Sequence, residues 1–252
     1  MSTAAQPERR FDPWVSLRGA TQARIGLGRA GMSLPTAAVL ELQGALAAAR
    51  DSVHVPLDTD PIMAGLVGLG LGEPILLTSQ APDRAAYLRR PDWGRVPAAV
   101  AGLPDDGWDV GVVIADGLSS KAVSEHALPM VQALVAAFDP ELSVAPPVVV
   151  TQARVAIADH IGQAMKLGAV IVLVGERPGL SVADSLGIYL TYAPQPGRTD
   201  AERNCISNVH PPEGLGYAAA AATAARLLRG ARALGRSGVE LKDTAGPDAL
   251  AG

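Results

Sequence analysis

The sequence predicts an α/β protein in which helices flank a mostly parallel β-sheet. Residues 169–174 (AVIVLV) form an uninterrupted apolar run that ends at Gly175. Such a run is typical of a strand buried on both faces of a parallel sheet. After residue 107, strand-like and helix-like segments alternate, as in βαβ units. Hydrophobic residues make up 48% of the 252 residues and aromatic residues only 4%, so aliphatic side chains must fill the core.

The N-terminal part, residues 15–104, is expected to be smaller and mainly helical. Pro35 suits the first turn of a helix capped by Ser33, and leucines recur on one side of this helix until about Arg50. Proline-rich and glycine-rich sequence breaks the helical pattern at residues 56–74. The remaining predicted elements of this region are a short strand at 74–79 and a helical turn at 84–90.

Residues 102–107 (GLPDDG) mark the boundary to the main domain, which is expected to span residues 105–236. Strands are predicted at 109–115, 147–151, 169–174 and 187–193. Helices are predicted at 119–137, 157–167 and 212–234. Ser119 or Ser120 is a suitable N-cap, Pro129 predicts a kink or break, and Gly168 is expected to end the helix before it.

Composition restricts the class of protein. The net charge of −4 argues against a nucleic-acid binder, which needs a basic face. A single cysteine excludes an internal disulfide and fits a reducing compartment. No stretch approaches the ~20 apolar residues of a membrane span, and the start of the chain lacks the apolar core of a signal peptide. We therefore expect a soluble cytoplasmic protein without membrane contact, with flexible ends at residues 1–14 and 237–252.

Two segments carry unusual polar residues. Glu176 and Arg177 follow the central strand, and ligands of parallel sheets bind at the carboxyl ends of strands. Residues 203–210 (RNCISNVH) hold the only cysteine, two asparagines and a histidine. Either segment alone is also compatible with a polar turn and a loop, so the residues by themselves leave both interpretations open.

Residues 26–31 (GLGRAG) match the G-x-G-x-x-G fingerprint of dinucleotide-binding proteins. That fingerprint needs a buried strand before it and a helix that begins within it. Here a polar stretch precedes the glycines and the helix is predicted to begin near Pro35, so a glycine-rich connection is favoured.

The sequence offers no catalytic constellation and no metal site. The four histidines lack metal-ligand spacing, and there is no G-x-S-x-G elbow. Cys205 has no evident base near it in sequence. We therefore expect no catalytic residue and no metal ligand in this chain.

Several segments, taken together, closely resemble the small (light) subunit of ethanolamine ammonia-lyase. They occur in matching order across about residues 15–235 and are 24–31 (RIGLGRAG), 87–95 (YLRRPDWGR), 113–119 (VIADGLS), 154–162 (RVAIADHIG), 173–180 (LVGERPGL) and 203–210 (RNCISNVH). The glycine-rich segment belongs to this family pattern, which supports its rejection as a nucleotide site.

The resemblance implies a carbon–nitrogen lyase that converts ethanolamine to acetaldehyde and ammonia through adenosylcobalamin radicals. It also implies a large subunit that holds the substrate in a TIM barrel. The small subunit then contributes a Rossmann-like domain that closes over the cobalamin at the subunit interface. Family members in some enteric bacteria carry an N-terminal extension associated with a bacterial microcompartment, whereas only about 15 residues precede the similar part here. Packaging of this chain therefore stays open.

Carried over residue by residue, the cobalamin contacts of the family fall on Val155, Glu176 and Cys205. We expect all three at carboxyl ends of parallel strands. Apolar Val155 and Cys205 suit the corrin macrocycle, and Glu176 suits its amide side arms. The histidines do not match the Asp-x-His-x-x-Gly pattern that supplies a protein ligand to cobalt, so the cofactor is expected to keep its own dimethylbenzimidazole.

Two alternatives remain. One is a self-contained enzyme that uses NAD or another nucleotide, which would need a proper βαβ fingerprint. The other is a purely structural partner protein, which an intact pocket at Glu176 and Cys205 would argue against.

Overall fold

A computed structural model describes residues 12–243. Parts of the two ends that were expected to be flexible, residues 1–11 and 244–252, lie outside the described residues. The strands are β1 (Ile75–Thr78), β2 (Val110–Ala115), β3 (Val148–Thr151), β4 (Ala169–Gly175), β5 (Leu186–Tyr192) and β6 (Arg203–Val209). The helices are α1 (Val15–Arg18), α2 (Thr36–His54), α3 (Asp60–Val67), α4 (Arg84–Arg89), α5 (Ser120–Ala137), α6 (Ile157–Ala164) and α7 (Tyr217–Leu234).

The strands form one six-stranded sheet in the order β1-β3-β2-β4-β5-β6. The first four of these strands pair in parallel, but β5 is antiparallel to β4 and β6 is antiparallel to β5. The sheet is therefore mixed; the prediction of a mostly parallel sheet is wrong, and a Rossmann-like fold is not confirmed. The physical reason lies in the connections 176–185 and 193–202, which contain no α-helix. A connection without a crossover helix returns the next strand antiparallel to the last.

Helices cover the two faces of the sheet unequally. α5 and α7 pack on the first face against alternate residues of β2, β4 and β5, and α3 joins the same apolar cluster. α6 packs on the second face, where its Ile161 contributes to a smaller apolar cluster with Val113 and Val172. Tyr189 of β5 lies only half-buried at the margin of this cluster, and Cys205 and Ser207 of β6 are exposed. The β5–β6 end of the second face is thus left open among the described residues.

Most predicted elements are present, but α6 ends at Ala164 and α7 begins at Tyr217, where helices were predicted at 157–167 and 212–234. Four other features differ from the prediction. α3 was not expected, because proline-rich flanks obscured its pattern, although a proline in its first turn is compatible with a helix start. Residues 203–209 form a strand and not a turn and loop. α5 continues through Pro129. The residue that precedes α2 is Pro35 without a side-chain cap, so the predicted Ser33 cap is wrong.

Candidate cofactor-binding site

A shallow surface, which we call the open shelf, is formed by Val155, Glu176, Tyr189 and Cys205. Cys205 pairs with Tyr189 in the β5–β6 register, so the two side chains lie beside each other on the same face of the sheet. Val155 and Glu176 line one cavity of about 260 Å³ together with Tyr189. The structure therefore brings the three residues expected from the sequence around one tyrosine.

A second cavity, of about 470 Å³, continues the open shelf beyond Val155 and Tyr189. Both cavities share Arg154, Val155 and Tyr189 as lining residues. Its further lining includes Arg95 and Arg198. The shelf and the two cavities thus form a continuous surface that carries apolar groups, arginines and two carboxylates, Glu176 and Asp200.

Cys205 does not lie where the sequence placed it. It was expected at the carboxyl end of the strand that became β5, but β5 runs antiparallel to β4, so its carboxyl end lies at the opposite edge of the sheet. Cys205 lies within β6, level with the middle of β5. It reaches the shelf because its side chain projects from the uncovered face, and its sulfur lies 3.2 Å from the Ser207 hydroxyl oxygen.

Tyr189 is the central residue that sequence reasoning missed. Burial and then the adjacent Cys205 thiol raise the pKa of the Tyr189 hydroxyl, so the side chain remains a neutral phenol at physiological pH. Little in the sequence indicated that Tyr189 belongs to the site, because it is one of two tyrosines in an apolar strand segment. Only the strand register reveals which of them contacts the shelf.

The loop that carries Val155 is held by a buried carboxylate. Asp116 is fully buried and accepts the backbone N–H groups of Gln152 and Ala153 at 2.9 and 2.8 Å. Its oxygen also lies 3.1 Å from the Arg84 guanidinium. Burial raises the pKa of the Asp116 carboxyl, against the opposing effects of Arg84 and the backbone donors. This network fixes Gln152 in the left-handed region, with φ of 55°, and so sets the direction in which Val155 leaves β3.

Tyr87 also stabilises the loop that carries Val155. It is fully buried, and its hydroxyl donates to the carbonyl oxygen of Ala153 at 3.2 Å. Burial raises the pKa of Tyr87 to about 12. The guanidinium groups of Arg84 and Arg154 lie 4.8 and 5.1 Å from its ring centre, within the range of cation–π contacts. Arg154 is thereby positioned beside the shelf.

Glu176 follows β4 and is tied to two other segments. One carboxylate oxygen accepts the Ser185 hydroxyl at 2.5 Å and the Asn208 backbone N–H at 3.2 Å. Gly187 leaves room for this carboxylate, since a Cβ on Gly187 would lie 3.0 Å from the other Glu176 oxygen. One oxygen of the carboxylate is thus hydrogen-bonded within the protein, and Glu176 also lines the smaller shelf cavity.

Other polar clusters lie away from the shelf. Arg203 and Asp159 form a buried two-point ion pair, with N–O distances of 2.7 and 2.6 Å. Glu125, His126 and Asp184 place possible metal-ligand atoms within 4.8 Å of one another, a grouping that sequence spacing did not reveal. The Lys121 ammonium contacts both carboxylates of this group and so supplies a positive charge to it.

The glycine-rich segment 26–31 lacks the context of a nucleotide site. No strand precedes it within residues 12–25, and α2 begins only at Thr36. Of the helices within residues 12–243, none is long and apolar enough to cross a membrane.

Comparison with known proteins gives a consistent result. The sequence profile described as "Ethanolamine ammonia-lyase light chain (EutC)" matches residues 11–242. A protein of Rhodococcus erythropolis called ethanolamine ammonia-lyase small subunit is 56% identical over 241 residues, which cover 96% of this chain and 94% of the relative. Proteins of the same description from Azotobacter vinelandii and Xanthomonas campestris pv. campestris are 51% and 50% identical, covering 93% and 97% of this chain and 89% and 92% of the relatives. These matches confirm the resemblance that the six sequence segments indicated. The chain therefore belongs to the ethanolamine ammonia-lyase light chain family.

Proposed function

We propose that the open shelf binds adenosylcobalamin at an interface with a large catalytic subunit. The assembled enzyme would convert ethanolamine to acetaldehyde and ammonia. The observation that carries the proposal is the convergence of Val155, Glu176 and Cys205 around Tyr189 on an uncovered sheet face. The three residues lie in three different segments of the chain, so their proximity results from the fold and not from closeness in sequence.

The chemistry of the shelf fits a corrin. A corrin is broad and flat, with an apolar rim and polar amide side arms. Val155, Tyr189 and Cys205 offer an apolar, flat surface to the macrocycle. Glu176, which lines the smaller cavity beside this surface, suits the amide side arms.

The shelf covers only one side of a flat ligand, so a partner must cover the other side. When bound, this cofactor would supply carbon radicals by homolysis of its cobalt–carbon bond, and competing groups would consume such radicals in side reactions. This chain would bind and orient the ring and exclude water from one side. The substrate would be held by the large subunit.

A second surface supports a partner subunit. The N-terminal segment and α2 expose large apolar side chains, of which Met32 is 100% exposed, Leu40 62% and Leu46 51%. Ser52 is the only residue of α2 that is buried. A well-formed helix with so little burial in its own chain is expected to be covered by another protein.

We further infer that the division at residues 104–105 separates this partner-facing region from the shelf-bearing domain, and that the complex works in the cytoplasm. β1 comes from the first of these regions, yet it pairs with β3 in the main sheet. The two regions would therefore move as one when the shelf closes over the cofactor.

The experiment that tests the proposal blocks the shelf by substitution. Cys205→Trp, co-expressed with the large subunit, should still assemble but bind no cobalamin, as measured by the absorbance of protein-bound corrin after gel filtration. Gln132→Trp is the control, because Gln132 is exposed on α5, which packs on the opposite face of the sheet, and it lines neither shelf cavity. Corrin bound equally by the wild type and Cys205→Trp would place the cofactor elsewhere.

A further inference from the structure

Three arginines around the shelf have no anionic partner within the described chain. Arg95, Arg154 and Arg177 line the two shelf cavities, and none of them forms an ion pair with a residue between 12 and 243. Their neighbours differ from them: Arg198 pairs with Glu202 at 2.5 Å, and Arg203 pairs with Asp159 at 2.6 Å. The unpaired groups therefore do not reflect a general lack of carboxylates nearby.

Arg154 is the best placed of the three. It lines both cavities, and contact with the Tyr87 ring holds its guanidinium in place. Its Nε is buried, whereas its two outer nitrogens are accessible from the cavities and form no hydrogen bond with residues 12–243. These outer nitrogens can donate charge-assisted hydrogen bonds to an anionic oxygen of a ligand.

Arg95 lies on the same wall as Arg154. The Arg154 backbone N–H donates to the carbonyl oxygen of Gly94 at 2.8 Å, which joins the two segments. Both side chains line the cavity of about 470 Å³. Two guanidinium groups that line one cavity offer donors of the kind that bind the oxygens of a phosphate.

The negative groups that face this region do not neutralise it. Asp200 lines the larger cavity, but its side chain is 95% exposed and lies nearest to Arg203, at 3.6 Å. Glu176 lines the smaller cavity and already accepts two hydrogen bonds from the protein. Three unpaired guanidinium groups therefore face two carboxylates, which leaves an excess positive charge at the cavities.

We infer that Arg154, with Arg95, binds a phosphate group of a ligand on the open shelf. The inference rests on the proposed function, because cobalamin carries a phosphodiester in its nucleotide loop and the larger cavity adjoins the shelf through Val155 and Tyr189. A free phosphate would present the same chemistry. Arg154 thus acts as a specificity residue for corrinoids that retain the nucleotide.

The test compares two ligands that share the corrin ring. Cobalamin has the nucleotide loop and its phosphodiester, whereas cobinamide lacks both. Dissociation constants for each are measured by equilibrium dialysis on the complex with the large subunit, for the wild type, Arg154→Gln, Arg95→Gln and Arg89→Gln. Arg89 is exposed, is absent from both cavities and serves as the charge-matched control.

Arg154→Gln should weaken cobalamin binding by about tenfold or more, as expected for a lost charge-assisted contact, and leave cobinamide binding within about twofold. Arg95→Gln should act in the same direction, and Arg89→Gln should change neither ligand. Arg154→Lys keeps the charge and should recover part of the loss. Thermal melting of each complex, followed by circular dichroism, checks that the variants fold.

Equal weakening of both ligands by Arg154→Gln would overturn the inference and make Arg154 a support of the Val155 loop. A titration with inorganic phosphate adds a second arm. Phosphate binding that depends on Arg154, with an unchanged cobalamin-to-cobinamide ratio, would assign the cavity to a free anion and overturn the nucleotide-loop assignment. If wild-type complex binds neither corrinoid, the proposed function itself fails.

Discussion

The Glu176 carboxylate accepts the backbone N–H of Asn208 at 3.2 Å, although the two residues are 32 positions apart in sequence. This hydrogen bond joins the end of β4 to the end of β6. Asn208 has a positive φ of 67°, a conformation that asparagine tolerates better than most residues. The same Glu176 oxygen accepts the Ser185 hydroxyl at 2.5 Å. Glu176 therefore shapes the edge of the open shelf besides lining it.

This double role predicts different outcomes for two substitutions of Glu176. Glu176→Gln keeps an acceptor oxygen but loses the charge, so cobalamin binding to the complex should weaken by ~1–2 kcal/mol with little loss of stability. Glu176→Ala should also lower the free energy of unfolding by about 1–3 kcal/mol, because Asn208 loses its acceptor. Glu213→Gln, an exposed position, is the control. Calorimetry and equilibrium dialysis separate the two effects, and an unchanged dissociation constant for Glu176→Gln would mean that its charge does not contribute to cofactor binding.

A glycine at the end of β4 should be essential for folding. A Cβ on Gly175 would overlap the carbonyl oxygen of Ser119, a backbone atom that cannot move aside freely. We expect Gly175→Ala to cost about 3 kcal/mol or more in unfolding free energy, as overpacking against backbone does. Gly44→Ala in α2 is the matched control, since nothing lies within 4 Å of its Cβ position. That variant should be neutral or stabilising by up to ~1 kcal/mol, and equal stability of the two variants by urea denaturation would contradict the packing at Gly175.

The buried Arg203–Asp159 pair should show strong coupling. Both side chains are only 2% exposed, so Arg203→Met leaves a carboxylate buried without its partner. The expected cost is about 3–5 kcal/mol. The double variant Arg203→Met with Asp159→Leu should recover much of this loss, because neither charge then remains buried. A control pair, Arg236 and Glu240, is 60% and 55% exposed, and removing it should cost at most about 1 kcal/mol. Additive losses in the double-mutant cycle at Arg203 and Asp159 would refute direct coupling.

Acid stability should depend on Glu202. The backbone N–H of Thr199, then the Arg198 guanidinium and the Thr199 hydroxyl, lower the pKa of the Glu202 carboxyl from its ordinary value of 4.5 to about 2. A lowered folded-state pKa means that its stabilising effect is present above about pH 4.5 and is lost as the pH falls towards 2. The difference in melting temperature between wild type and Glu202→Gln should therefore shrink across this range. A difference that stays constant from pH 6 to pH 2 would show that Glu202 titrates normally.

The sequence predicted the elements whose burial is uniform. β4 is buried along its whole length and was evident as an apolar run, and the alternation of segments before it predicted β2, α5 and β3 correctly. Strand direction was not predictable from composition, because a buried strand has the same residues in either orientation. The lack of a helical segment in 176–185 was the available signal for the antiparallel return. β6 was missed because it is an edge strand with exposed polar residues and an irregular register against β5.

The candidate site was predictable only in part. Val155, Glu176 and Cys205 came from the family resemblance, and their proximity came from the fold. Tyr189 and Arg154 depend on the strand register and on the Asp116 network, which connects residues 36 and 37 positions apart. Such long-range contacts leave no local pattern in the sequence.

The most direct test of the central claim measures acetaldehyde formation from ethanolamine in three preparations, each supplied with adenosylcobalamin. These are the purified chain, the purified large subunit and the reconstituted complex. Because the proposed shelf would cover only one side of a flat ligand and the sequence predicts no catalytic residue in this chain, we expect only the complex to turn over substrate. Turnover by the rigorously purified chain alone, or full activity of the large subunit without it, would contradict the account.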